Sequence, residues 1–181
     1  MIICVGSVFL DHIVKIDSFP KKPVKVLAQG IEKRLGGSAA VASFTIKKLG
    51  INTSFIGRLG NDDASKFLKN ELKKFKIKHN NIVEIKGVKS SQSFVYEDKR
   101  GERLLAAFSE KKLLNDKKLP KITFKKNTTI MSDLRWVEAT LYIAKNCKKK
   151  NLTQVVDLDN YKLNSKVKQI VDLSSHPIFS E

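Results

Sequence analysis

Asp11 follows Gly6 by five residues, just past a short apolar run at 2–8. A carboxylate there can accept two hydroxyl hydrogen bonds at once, since it offers about four lone-pair sites. If 2–8 is a strand, Asp11 falls beyond its carboxyl end, where open α/β sheets take their ligands. The same residue could instead cap a turn. Gly36-Gly37 is the second candidate. A glycine pair between a strand and a helix lets a ligand approach the backbone closely, and the helix amides behind it can meet hydroxyl or anionic oxygens. A tight turn explains the pair equally well. Metal chemistry lacks its parts, because His12, His79 and His176 are scattered and Cys4 and Cys147 have no closely spaced partner. A Walker-type phosphate loop is absent as well.

The elements that must position these residues alternate along the chain. Apolar runs at 2–8 and 13–16 read as strands, and 24–35 as one or two more. Helical spacing follows over 39–49, with Gly50 as the stop. A buried strand at 53–59 leads to a helix over 64–75 that Asp62 and Asp63 can cap. The runs 91–98 and 102–108 flank Lys99-Arg100-Gly101 and read as a hairpin. Residues 109–127, lysine-rich and holding Pro120, read as an extended surface connection. Strands at 128–132, 154–158 and 177–180 are predicted to enclose helices at 135–150 and 165–173. The expected fold class is therefore α/β, layered, with a mainly parallel sheet. The early strands and the hairpin fit that core poorly, and they predict a small β lid within 12–35 and 91–108.

Composition narrows the partners. The chain has 181 residues, 41% hydrophobic, enough for the core of one domain. It contains no apolar run of eighteen residues, so no membrane span is expected. The opening MIICVGSVF reads as a first strand rather than a signal peptide, and the isolated cysteines suit a reduced, cytoplasmic protein. A net charge of +17 invites a nucleic-acid reading, but only five of the 35 basic residues are arginines and the lysines spread along the whole chain. Solvated lysine-rich faces with loose polyanion attraction at low salt are expected, without specific nucleic-acid recognition.

Taken in order, the segments GSVFLD (6–11), GGSAAVASFTIKKLG (36–50), FIGRLGNDD (55–63), the stretch 91–103, SDLRW (132–136), VVDLD (155–159) and PIFSE (177–181) resemble the N-terminal part of PfkB-family, ribokinase-like carbohydrate kinases. SDLRW and VVDLD are most similar to the ketohexokinase- and fructokinase-like branches. The resemblance implies a sugar kinase that moves the ATP γ-phosphoryl group to a sugar hydroxyl, with Mg2+ on the nucleotide. It assigns Asp11 to gripping the sugar, Gly36 and Gly37 to the floor beneath it, and Ser38 to a variable substrate-facing position. Val41 departs from the family's usual asparagine and cannot hydrogen-bond a sugar hydroxyl, which leaves the identity of the sugar open. Arg103 and Arg135 are candidate contacts to an anionic or polyhydroxyl substrate, or else surface ion-pair partners. Asp157 and Asp159 lie near the site or merely shape a loop.

The family's catalytic Gly-Ala-Gly-Asp helix start has no counterpart in residues 1–181, and all nine glycines lie at or before Gly101. The expectation is therefore one incomplete domain, 1–181, that carries the sugar side of the site, no catalytic residue and no ATP or Mg2+ of its own. Alternatives are a non-catalytic sugar binder or a polyanion-binding protein on the same scaffold. A homodimer through the lid strands is a further expectation. An unpaired sheet edge and uncovered apolar faces predict marginal stability.

Overall fold

The computed structural model describes residues 1–115, 118–159 and 163–179. Ser180 and Glu181, the end of the last predicted strand and of PIFSE, lie outside them, as do Asp116 and Lys117 of the expected connection. The core is a parallel sheet of β1 (Ile2–Gly6), β4 (Thr53–Leu59), β5 (Val83–Glu84), β8 (Thr129–Asp133), β9 (Gln154–Asp157) and β10 (His176–Ile178). Its order is β10-β9-β8-β1-β4-β5. The central strands β1 and β4 are buried along nearly their whole length on both faces, as a sheet covered by helices on both sides requires.

Helix α1 (Ser38–Lys48) turns Ala39, Ala40 and Ser43 inward, and these small residues let it approach β1 closely. α2 (Asp63–Lys74) starts at Asp62, whose side chain accepts from the Ser65 amide. α3 (Lys111–Leu114) is one turn that buries Leu113. α4 (Val137–Lys150) ends on left-handed Asn151 with Lys148, Lys149 and Lys150 in its last turn, where cations suit the carbonyl end. α5 (Ser165–Leu173) is capped by Asn164. Helices on the two faces of the sheet make separate apolar clusters, one around Phe55, Leu68 and Leu72 and the other around Ile130, Ile143 and Trp136.

The remaining strands form a second sheet of order β3-β2-β6-β7, from β2 (Phe9–Lys15), β3 (Gly30–Gly36), β6 (Gln92–Glu97) and β7 (Arg103–Phe108). β2 and β6 run parallel, and the other two pairings are antiparallel. This second sheet overlaps the segments 12–35 and 91–108 expected to form a lid, and it begins at Phe9 and reaches Gly36. The prediction for 24–35 is corrected: the strand is Gly30–Gly36, and 24–28 carries no regular structure, with Val24 and Leu27 exposed. The alternation there has no neighbouring strand to pair with. In the 109–127 connection, Ile122 and Phe124 pack against the second core cluster.

Cys4 and Cys147 are both buried and free. Burial pushes the Cys4 thiol up to about 12 and the Cys147 thiol to about 11, so both are poor nucleophiles.

Candidate functional site

Three elements converge after Gly6: the turn from β1 into β2, the Gly36-Gly37 entry into α1, and the segment leaving β8. Asp11 sits on β2 opposite Arg34 of β3 and Ser93 of β6. The Ser93 hydroxyl donates to Asp11 Oδ1 in a short hydrogen bond, and Oδ2 accepts none among the described residues. Gly36 provides the room. A Cβ at Gly36 would lie 2.0 Å from Asp11 Oδ2, so the carboxylate rests directly on its backbone. Gly37 has φ +93°, and a side chain there would run into the Ser7 carbonyl. Burial raises the Asp11 carboxyl above its ordinary range, against the Ser93 hydrogen bond and the nearby His12. The result is a half-buried carboxylate with one oxygen unspent. Ser38 and Val41 lie at the start of α1, next to the glycine pair, and both are exposed.

Asp133, which the sequence reading did not single out, ties the three elements together. It is buried at the end of β8. Its Oδ2 accepts from the Ser7 amide (2.7 Å), the Ser7 hydroxyl (2.6 Å) and the Ala39 amide (3.2 Å), and its Oδ1 from the Arg135 amide (3.0 Å). Burial pushes this carboxyl up and the four donors oppose the shift. Gly6, at φ +150°, leaves it space, since a Cβ would come within 2.4 Å of the Asp133 carboxyl carbon.

Beside this staple lies a cavity of about 270 Å³ walled by Ser7, Phe9, Arg58, Ser91, Arg135 and Trp136, among others. Phe9 stands two residues before Asp11, and Ser91 two before Ser93. Side chains alternate along a strand, so the cavity opens on the sheet face that carries Asp11. Arg58 is buried and also went unnoticed in the sequence. It donates to the carbonyls of Leu114 (2.8 Å) and Arg135 (3.1 Å) and lies over the Trp136 ring.

The predicted residues do not all meet. Asp11, Gly36, Gly37 and Ser38 come together, with Val41 one turn along the helix, and Arg135 reaches the cavity wall. Arg103 does not. It stands opposite Glu97 at the hairpin end of β7 and holds that carboxylate at 2.7 Å. Asp157 accepts from the Asp159 amide, a loop-shaping contact at the end of β9.

The glycines nearest the site are filled against protein atoms, Gly6 by Asp133, Gly36 by Asp11 and Gly60 by the Val88 carbonyl. Gly50, Gly87 and Gly101 have open space and positive φ, but each serves a surface turn. Among the described residues no cluster of three His, Cys, Asp or Glu side chains is arranged to hold a metal, and no helix is long and apolar enough to cross a membrane.

Comparison with known proteins agrees with this architecture. A nucleoside kinase of Methanocaldococcus jannaschii is 26% identical over 103 residues, which cover 57% of this chain and 34% of that protein. An assigned ribokinase of Agrobacterium tumefaciens superposes with a TM-score of 0.83 at 23% identity, over 98% of this chain and 58% of that one. The ribokinase of Arabidopsis thaliana, solved with ribose and ATP, gives 0.78 at 19% identity over 98% and 59%. The chain thus spans about three-fifths of these structures and a third of the curated relative. At such identities the superpositions establish the fold alone. The profile of the pfkB family of carbohydrate kinases matches residues 1–179, and the chain belongs to that family.

Proposed function

We propose that residues 1–181 form the acceptor side of an ATP-dependent sugar kinase, one incomplete domain in which Asp11 grips sugar hydroxyls over the Gly36-Gly37 backbone. The observation that carries this is the Asp11 carboxylate, held by Ser93, seated on Gly36, and left with Oδ2 free to accept. Ser38 and Val41 border the same floor and bear on which sugar fits. The β3-β2-β6-β7 sheet covers this side and would exclude water from a bound acceptor. ATP and Mg2+ would serve the complete reaction. A cytoplasmic setting suits the two buried, unpaired thiols.

The test pairs calorimetry with an ADP-release assay on this chain. Saturable sugar binding with no sugar-dependent ADP release is the expected result. ADP release would overturn the assignment of 1–181 to the acceptor side alone. Binding that ignores sugars and collapses with salt would favour the polyanion reading.

The lid is also proposed to pair two copies. Ile31, Val14, Tyr96 and Leu104 stand in one cross-strand row, and Phe94 and Phe108 share their face. Ile31 is 71% exposed and Leu104 59%, an apolar stripe of the kind that marks an interaction surface. Light scattering after gel filtration should show a dimer, and Leu104→Glu with Tyr96→Lys should shift it to monomer with the fold intact. A monomeric wild-type protein would refute the pairing.

A further inference from the structure

The fold gathers lysines that the sequence scatters. The core strands run in one direction, so their starts lie side by side, Ile2 next to Thr53 and Thr129. The crossover helices run back, and their last turns return to that same end, opposite Gly6 and Asp133 at the strand ends. α1 brings Lys47 and Lys48 there, α2 brings Lys74, and α4 brings Lys150. Three clefts share this end. One is walled by Phe44, Lys47, Lys48, Lys74, Phe75 and Lys76. The second carries Lys78, Lys121 and Lys125, and the third Lys126 and Lys150. Among the described residues no carboxylate lines any of the three, and the ion pair made by these lysines is Lys74 with Glu71 at 3.7 Å.

Helix dipoles account for part of this, since cations suit the carbonyl ends of α1, α2 and α4. They do not account for Lys76, Lys78, Lys121, Lys125 and Lys126, which lie outside helices and are all exposed. The stretch holding Lys121 and Lys125 is fixed in place. Its Ile122 and Phe124 pack into the core, and Asn81 Nδ2 donates to the Lys121 carbonyl at 3.1 Å. Aliphatic side chains stand among these charges. In the turn from α1 to β4, Leu49 is 71% exposed and Ile51 42%.

The composition of this end selects its partner. No arginine lines the clefts, so the fork that grips single phosphates is missing. Phe44 and Phe75 meet edge to face at 4.4 Å, and Lys48 and Lys74 lie over their rings, which leaves no ready platform for a nucleobase. Point charges around protruding aliphatics match a surface that is anionic outside and apolar beneath. We propose that this end docks the protein on an anionic phospholipid bilayer, with the lysines over the headgroups and Leu49 and Ile51 entering the headgroup boundary. The acceptor site then faces away from the membrane. The docking end uses none of the residues that the acceptor-side reading uses.

Co-sedimentation with vesicles tests this, comparing phosphatidylcholine alone with an equal mixture of phosphatidylcholine and phosphatidylserine. The mixed vesicles are expected to bind the chain roughly tenfold or more tightly. Lys78→Gln, Lys121→Gln and Lys125→Gln together should weaken that binding roughly a hundredfold, since each lysine near an anionic leaflet counts for about fivefold. Leu49→Ser with Ile51→Ser keeps the charge and should still weaken it roughly tenfold. Lys21→Gln, Lys22→Gln and Lys25→Gln remove the same charge from the exposed loop between β2 and β3, and should cost less than about fivefold in all. Equal binding to both vesicle types, or to neither, overturns the proposal. So do equal losses from the two lysine sets, which would mean general attraction to a basic protein. Displacement from vesicles by inorganic phosphate, at an ionic strength where sodium chloride has no effect, would assign the lysines to a free anion instead. Binding to polyuridylate that needs Lys78, Lys121 and Lys125 and ignores the Leu49 and Ile51 substitutions, with no vesicle binding, would make the partner a nucleic acid.

Discussion

Asp133→Ala is expected to be the most destabilising single substitution in this protein, lowering the unfolding free energy by about 4 kcal/mol or more, as the loss of a buried charged acceptor does. Its carboxylate accepts three backbone amides and one hydroxyl, and so reaches segments 126 and 94 residues away in sequence. Removing it strands the Ser7 and Ala39 amides in a buried region, each at roughly 1–3 kcal/mol, and opens a void under Gly6. Asp133→Asn keeps the volume but should still lose about 2 kcal/mol, because one amide nitrogen must face donors that it cannot accept from. Urea unfolding followed by circular dichroism measures both losses. Gly6→Ala supplies the internal check. In the native protein its Cβ would meet the carboxylate, whereas in the Asp133→Ala background only the backbone strain remains. The double substitution should therefore be less harmful than the two single losses added. Full additivity would show that Gly6 and Asp133 act independently.

The layered core was legible in the sequence because each part of it has a local signature. β1 is a bare apolar run, α1 starts at a glycine pair and stops at Gly50, and α2 carries its own capping aspartate. The hairpin was legible from two alternating runs around Gly101. What could not be read is what depends on register or on distant pairing. Arg103 reads equally as a substrate contact or a surface ion-pair partner, and only the register sets it opposite Glu97. Residues 24–28 look like a strand because alternation shows which face could be buried, and does not show whether a neighbour exists. β5 has only two residues and leaves no periodicity to detect. Asp133 was visible inside SDLRW, yet nothing local links it to Ser7. Arg58 did leave a signal, since a charged residue inside the apolar run TSFIGRL must either disrupt a buried strand or serve a buried site. Here it anchors the peptide that presents Arg135.

Asp11→Ala should lower affinity for the bound sugar by about two to three orders of magnitude, because the carboxylate would supply two charge-assisted hydrogen bonds to ligand hydroxyls. Asp11→Asn retains one acceptor oxygen and should fall between. Gly36→Ala approaches the same result from beneath, by forcing the carboxylate away from a Cβ that would sit 2.0 Å from Oδ2. A binding role and a structural role part company in the unliganded protein. Burial raises the Asp11 carboxyl, so its folded value lies above its unfolded one. The ionised group therefore opposes folding as pH rises from the unfolded value through the folded one, and Asp11→Asn should melt no lower than wild type at neutral pH, while a purely structural aspartate would melt lower. The sign reverses for binding. Sugar needs the ionised form, so affinity should fall as pH drops through a value above 3.8, the usual aspartate position, and the pH dependence should vanish in Asp11→Asn. A loss of affinity that keeps its pH profile in that variant would assign the grip to another residue.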